Sequence, residues 1–178
     1  MKTAEPLIRP LGTPRLVLEP QMAAHADEMF IVLSDPAIYE FENAPPVSVE
    51  ALRERYRALE ARRSPDGRQL WLNWTVRLKD GGAAIGYVQA TVLPDAAALV
   101  AYEFNSAWWG RGLAGEAVAA AMLELRQHLG VTRFGAVFKT ANERSRRLLA
   151  RLGMCPAVDG QFPSTLAEAD ESAMATVP

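Results

Sequence analysis

The sequence predicts an α/β chain built on a mixed sheet, and three observations carry that reading. Short β-type segments rich in Val, Trp and Thr succeed one another closely from Leu70 to Phe104, with turn residues between them. The stretch Trp108-Trp109-Gly110-Arg111-Gly112-Leu113-Ala114-Gly115 then opens an Ala-rich helical segment. A further β segment and a basic amphipathic segment come next, so the order is a β-meander and then β-loop-α-β-α.

At the start of the chain, residues 1–12, with charged Lys2, Glu5 and Arg9 and prolines at 6 and 10, read as a loose lead-in. Arg15 to Leu18 alternates weakly as a first strand, closed by Pro20. Met22, Ala26, Met29, Phe30 and Leu33 recur at helical spacing, and Ser34-Asp35-Pro36 stops that helix. Ser48 is the expected N-cap of a second helix reaching Arg63, with Leu52, Tyr56 and Leu59 on one face. Ser64-Pro65-Asp66-Gly67 is a turn. Strands are expected at Leu70 to Leu78, Ala84 to Leu93 and Ala98 to Phe104, joined by Lys79-Asp80-Gly81-Gly82 and Pro94-Asp95. A helix from Leu113 to Leu129 ends at Gly130; Thr132 to Phe138 is a β segment; Asn142 to Leu152 is a helix closed by Gly153. The tail 156–178 is poorly patterned apart from a final strand at Ser172 to Val177.

Composition narrows the function classes. A chain of 178 residues, 49% hydrophobic and 22% charged, suits one soluble globular domain spanning 1–178. The net charge of −2 points away from nucleic acid and from anionic membranes, and the clustered arginines around Arg55 and Arg147 read as solvated helix faces. One cysteine, Cys155, excludes an internal disulfide and suits a reducing compartment. No signal peptide or membrane span is apparent, so a cytoplasmic location is expected. No His, Cys and carboxylate set has metal-ligand spacing, so no metal is expected.

The glycine stretch has its own chemistry. A small-residue loop at a helix start bares backbone N–H groups where the helix dipole is positive, which suits a phosphate or pyrophosphate. An ordinary tight strand-to-helix turn would show the same glycines.

Motifs elsewhere in the chain add to the loop. Thr13-Pro14-Arg15-Leu16-Val17-Leu18, Leu33-Ser34-Asp35-Pro36, Ala84-Ile85-Gly86, Tyr102-Glu103-Phe104, Trp109-Gly110-Arg111-Gly112-Leu113-Ala114 and Asn142-Glu143-Arg144-Ser145 occur in one order along nearly the whole chain. In these residues the chain resembles the GCN5-related N-acetyltransferases (GNAT), in detail the RimJ/RimL-like branch that acetylates N-termini of ribosomal proteins. The resemblance implies a central, mixed, mostly antiparallel sheet splayed in the middle and flanked by about four helices. It implies acetyl-CoA as co-substrate, a primary amine of a small molecule or a peptide N-terminus as acceptor, and a homodimer. Backbone amides of Arg111, Gly112, Leu113, Ala114 and Gly115 would hold the pyrophosphate, and Trp109 and Gly110 would belong to the same cofactor-binding loop. Main-chain groups around Tyr102, Phe104 and Asn105 would hold the pantetheine arm, with Asn142 and Ser145 reaching it from the last helix.

By the same resemblance Glu103 is the candidate base, although strand alternation alone leaves its face undecided. The position that usually carries a tyrosine acid is Leu149, which leaves Ser145 or water to protonate the departing thiolate. Met154-Cys155 also departs from the family's usual glycine and phenylalanine. Tyr39, Phe41 and Glu42 fall where the family builds its acceptor mouth. Trp71 and Trp74 lie on opposite faces of one strand, so one belongs to the core; Trp74 is assigned to the acceptor cleft. A non-catalytic acyl-CoA-binding module is the alternative, and thiol release from acetyl-CoA separates it from an enzyme.

Overall fold

The computed structural model describes residues 7–41 and 43–177. Its elements in chain order are β1 (Leu11–Gly12), β2 (Leu16–Pro20), α1 (Ala26–Leu33), α2 (Val49–Leu59), β3 (Leu70–Leu78), β4 (Ala84–Val92), β5 (Ala97–Phe104), α3 (Leu113–Leu129), β6 (Arg133–Lys139), α4 (Glu143–Arg151), β7 (Met154–Pro156) and β8 (Glu171–Thr176). Among the described residues the strands form one mixed sheet in the order β1-β2-β3-β4-β5-β6-β8-β7. β5 and β6 are its parallel neighbours, and the other neighbouring pairs are antiparallel. Among the described residues, no helix is long and apolar enough to cross a membrane.

Strand alternation sorts the side chains onto two faces. Leu72, Trp74 and Val76 of β3 and Val88 and Ala90 of β4 share one core with Val118, Met122 and Leu125 of α3. Fully burying one such aliphatic side chain is worth roughly 1.5–3 kcal/mol. On the other core, Met29 and Leu33 of α1 meet Leu52 and Tyr56 of α2, with Tyr87 packed against them. Helix α2 starts at Ser48, whose side chain accepts from the Ala51 amide.

Several expectations are corrected. Residues 7–12 are not a loose lead-in: Leu7, Ile8 and Leu11 pack on the core and the Arg9 carbonyl accepts from Trp74 Nε1 at 2.9 Å. Residues 1–6 lie outside the described ones. Helix α2 stops at Leu59 rather than Arg63, because the chain is drawn to the sheet: Arg62 takes φ +57° and its carbonyl accepts from Trp71. β1 and β7, at two and three residues, are too short to carry a period.

The β5–β6 junction positions the site. Their register covers only Ala97↔Arg133, Ala98↔Phe134 and Leu99↔Gly135, after which the pairing stops. β4 pairs with β5 throughout, and the Asn105 amide donates to the Ile85 carbonyl at 3.0 Å. In an antiparallel ladder main-chain groups alternate in direction. The peptide groups of Glu103 and Asn105 therefore point to β4, whereas those of Val100, Tyr102 and Phe104 point into the opening before β6.

Candidate active site

All four tyrosines of the chain, Tyr39, Tyr56, Tyr87 and Tyr102, line one cavity of about 420 Å³. It runs from the α1 and α2 face to the opening between β5 and β6, where Val137 and Phe138 of β6 and Asn142, Ser145 and Leu149 of α4 wall it. The sheet register decides the face of Glu103. Thr75, Tyr87 and Glu103 stand side by side across β3, β4 and β5, and Asn73, Gln89 and Ala101 form the next row. Glu103 thus lies on the face of Tyr87, in the same cavity as Tyr39 and Tyr56. Burial pushes the Tyr87 hydroxyl well above its ordinary pKa, and the Glu103 carboxylate adds to the shift. Tyr39 is pushed up to about 12, by burial first and then by Glu103; its hydroxyl donates to the Leu33 carbonyl at 2.8 Å.

On the other side of β5, the Tyr102 hydroxyl donates to Ser145 Oγ at 3.3 Å. Burial pushes Tyr102 up to about 12, so it stays protonated at neutral pH. Asn142 Oδ1 accepts from the Ser145 amide at 3.1 Å, the N-cap of α4, which leaves the Asn142 side-chain N–H groups to offer.

The glycine loop joins β5 to α3 through a 3-10 turn at Ser106–Trp108. Gly110 and Gly112 take φ +74° and +73°, where an L side chain is strained. The first bond of α3 runs from the Glu116 amide to the Gly112 carbonyl, so the amides of Leu113, Ala114 and Gly115 point out of the helix start. Among the described residues, nothing but the chain neighbours and, at Gly115, the helix's own backbone lies within 4 Å of where a Cβ at Gly110 or Gly115 would stand. The helix start is thus a cradle of donors open to an anion, which fits the pyrophosphate of a coenzyme A. Glu116 does not intrude, because Arg15 Nε holds its carboxylate at 2.7 Å and Thr13 adds a second bond. Burial raises the Glu116 pKa, but these hydrogen bonds prevail and hold it below its ordinary value.

Asp35 ties this loop to the end of α1. Its Oδ1 accepts from the Ala37 amide at 3.0 Å and its Oδ2 from the Ser106 amide at 2.7 Å. The Ser106 hydrogen bond, against burial, holds the Asp35 pKa below 3.8. A depressed pKa contributes stability that is present above 3.8 and lost as pH falls through the folded value. Asp35→Ala is expected to cost about 1–2 kcal/mol at pH 7. Denaturant melts at pH 7 and pH 3 should show the gap to the parent narrowing in acid; an equal gap would sink the assignment.

The structure divides the expected site residues. Glu103, Tyr102, Asn142, Ser145, Tyr39 and Phe41 come together around the cavity, whereas Glu42 lies outside the described residues. Trp74 is corrected: it is fully buried against α3, on the side of β3 away from Asn73, and does not line the cavity. Asn105 is corrected as well. Its amide bonds to Ile85, Oδ1 accepts from Ala107 and Nδ2 donates to Val32, so its groups build the turn. The Phe104 side chain is core and its carbonyl accepts from Trp109 Nε1, leaving its amide for the opening. The Trp109 ring is covered by the Arg144 guanidinium at 4.0 Å, so this side chain secures the loop.

Sequence reasoning missed Tyr56, Tyr87, Arg55, Asn73 and Gln89, which also line the cavity. A signal existed: Asn73 and Thr75 put polar side chains on one face of β3, while Leu72, Trp74 and Val76 on the opposite face are apolar.

Comparison with known proteins agrees with this geometry. Residues 15–155 match the family model described as Acetyltransferase (GNAT) domain. A curated relative, the uncharacterized N-acetyltransferase YoaA of Bacillus subtilis (strain 168), is 26% identical over 148 residues, covering 80% of this chain and 81% of that protein. Among solved structures, RimL, a ribosomal L7/L12 alpha-N-protein acetyltransferase in complex with coenzyme A, superposes with a TM-score of 0.78 at 13% identity, over 95% of this chain and 98% of its own. A ribosomal-protein-S5-alanine acetyltransferase from Vibrio fischeri gives 0.74 at 18% identity, over 96% and 97%. Each of these two shares the fold. With the family model spanning most of its length, the chain belongs to the GNAT acetyltransferase family.

Proposed function

We propose that the protein moves an acetyl group from acetyl-CoA directly to a primary amine, of a small molecule or of a peptide N-terminus as in the RimJ/RimL-like branch. The observation that carries this reading is the continuous cavity joining the β5–β6 opening to Glu103. Acetyl-CoA supplies a thioester carbonyl for the amine to attack. Amides of Gly110, Arg111, Gly112, Leu113, Ala114 and Gly115 bind its pyrophosphate. Main-chain groups of Tyr102 and Phe104 pair with its arm as a neighbouring strand would. Glu103 takes the proton of the acceptor ammonium, since only the neutral amine is a nucleophile.

Leu149 offers no hydroxyl where relatives carry a tyrosine, and the Tyr102–Ser145 pair supplies one instead. Because Ser145 Oγ accepts from Tyr102, its own proton is left to be donated to the departing sulfur. Ser145→Ala is expected to lower kcat about ten-fold, less than the usual contribution of general acids because a thiolate leaves readily. Tyr102→Phe should cost less, and should cost nothing further once Ser145 is alanine. Independent, multiplying losses in the double variant would show that the two hydroxyls do not act as a unit. For the function as a whole, thiol release from acetyl-CoA is measured across a panel of amines and N-terminal peptides. Thermal stabilisation by acetyl-CoA without release on any amine would favour the non-catalytic module.

A further inference from the structure

The cavity holds two groups that acetyl transfer itself leaves unused, at consecutive positions of α2. The Tyr56 side chain is 3% exposed and lines the cavity, yet its hydroxyl has no hydrogen-bond partner among the described residues. A buried hydroxyl left unpaired is costly, so such a group marks where a polar ligand atom belongs. Beside it Arg55 lines the same cavity and makes no ion pair among the described residues, whereas Arg53 on the same helix is paired with Asp27 at 2.8 Å. The floor opposite is amide rather than charge, with Asn73 and Gln89 side by side in the register. The cavity therefore has a carboxylate at one place, Glu103, and an unspent cation with a hydroxyl donor at another.

We propose that the acceptor is a primary amine that also carries an anionic group, held by the Arg55 guanidinium and the Tyr56 hydroxyl while its amine faces Glu103. This rests on the amine-acetyltransferase reading and specifies its substrate class. A guanidinium fork suits a carboxylate, and Tyr56 adds a donor that a neutral or cationic amine would leave unpaired. A diamine would instead bring a second positive charge against Arg55. The anion can be the carboxylate of a free amino acid or an acidic side chain next to a peptide N-terminus, and the probes separate these sources.

The test measures kcat/KM for glycine, alanine and aspartate against their carboxamides, for tripeptides with and without an acidic second residue, and for 1,4-diaminobutane. The anionic member of at least one series should be favoured by roughly ten-fold or more, the usual worth of a hydrogen-bonded charge pair. Arg55→Met should bring that ratio close to unity, and Tyr56→Phe should raise KM for the anionic amine far more than it lowers kcat. Arg57→Met, an exposed position of the same helix that does not line the cavity, should leave the ratio unchanged. Equal rates in every series, a preference for the diamine, or a preference that survives Arg55→Met would overturn the proposal. Calorimetric titration of the same amines into protein saturated with coenzyme A reads the pocket without turnover. An anionic preference there, with no amine acetylated, would uphold the pocket and reject the transfer reaction; no preference there rejects the pocket whatever the enzyme does.

Discussion

Gly112→Val is expected to abolish the stabilisation of the protein by acetyl-CoA. Ligand at a hundred times its Kd adds about 2.7 kcal/mol to a folded protein, which raises Tm by roughly 5–10 °C in a chain of this size. Gly112 takes φ +73° at the very start of α3, so valine there is strained and shifts the loop whose amides face the anion; its Cβ would stand 3.6 Å from the Arg15 guanidinium. Strain alone costs about 1–2 kcal/mol for an L residue in this conformation. A control separates strain from lost binding. Gly130 ends the same helix at φ +65°, with nothing among the described residues but its chain neighbours within 4 Å of a Cβ, so Gly130→Val imposes like strain far from the loop. The Gly130 variant should melt lower but keep the full acetyl-CoA shift, and the Gly112 variant should melt lower and lose it. If both keep the shift, the cradle is not where the coenzyme binds.

The second large effect is expected at Glu103. Glu103→Gln keeps shape and volume beside Tyr87 but removes the group that accepts the ammonium proton, so kcat should fall by about 10²–10⁴. Binding of acetyl-CoA should be unchanged, because the Glu103 peptide group points to β4 and not into the β5–β6 opening. The variant should recover as pH rises through the acceptor amine's own pKa, about 7.7–8.0 for a peptide N-terminus. Above that value the amine is already neutral and no base is needed to make it a nucleophile. A loss of less than three-fold at neutral pH, or one without that recovery, would remove Glu103 from the proton path.

Much of the scaffold was legible because the strands are long and their turns are marked. β3 runs from Leu70 to Leu78 as its Trp and Val content predicts, and α4 begins at its Asn142 cap. The errors have physical sources. Trp71 and Trp74 differ by an odd step, so alternation puts them on opposite faces, but only the packing of α3 says which face is dry. Likewise Tyr102, Glu103 and Asn105 are neighbours in sequence, and which of them faces an opening is a property of pairing between strands. Tyr56, the most telling of the site residues that escaped notice, belongs to a helix face that is apolar except for one oxygen atom at its end. Periodicity weighs the ring and is blind to where that oxygen goes.

The early end of β5–β6 pairing has a consequence for the protein's behaviour in solution. Exposed strand edges usually sit at the rim of a sheet, where they invite other chains to add on and aggregate. Here such an edge lies in the middle of the sheet, between two strands that belong to the same molecule and under the wall of α4. A foreign strand carries side chains on both faces and has no room to enter, whereas a slender extended molecule can. The fold thereby keeps an adhesive surface for a small ligand and conceals it from copies of itself.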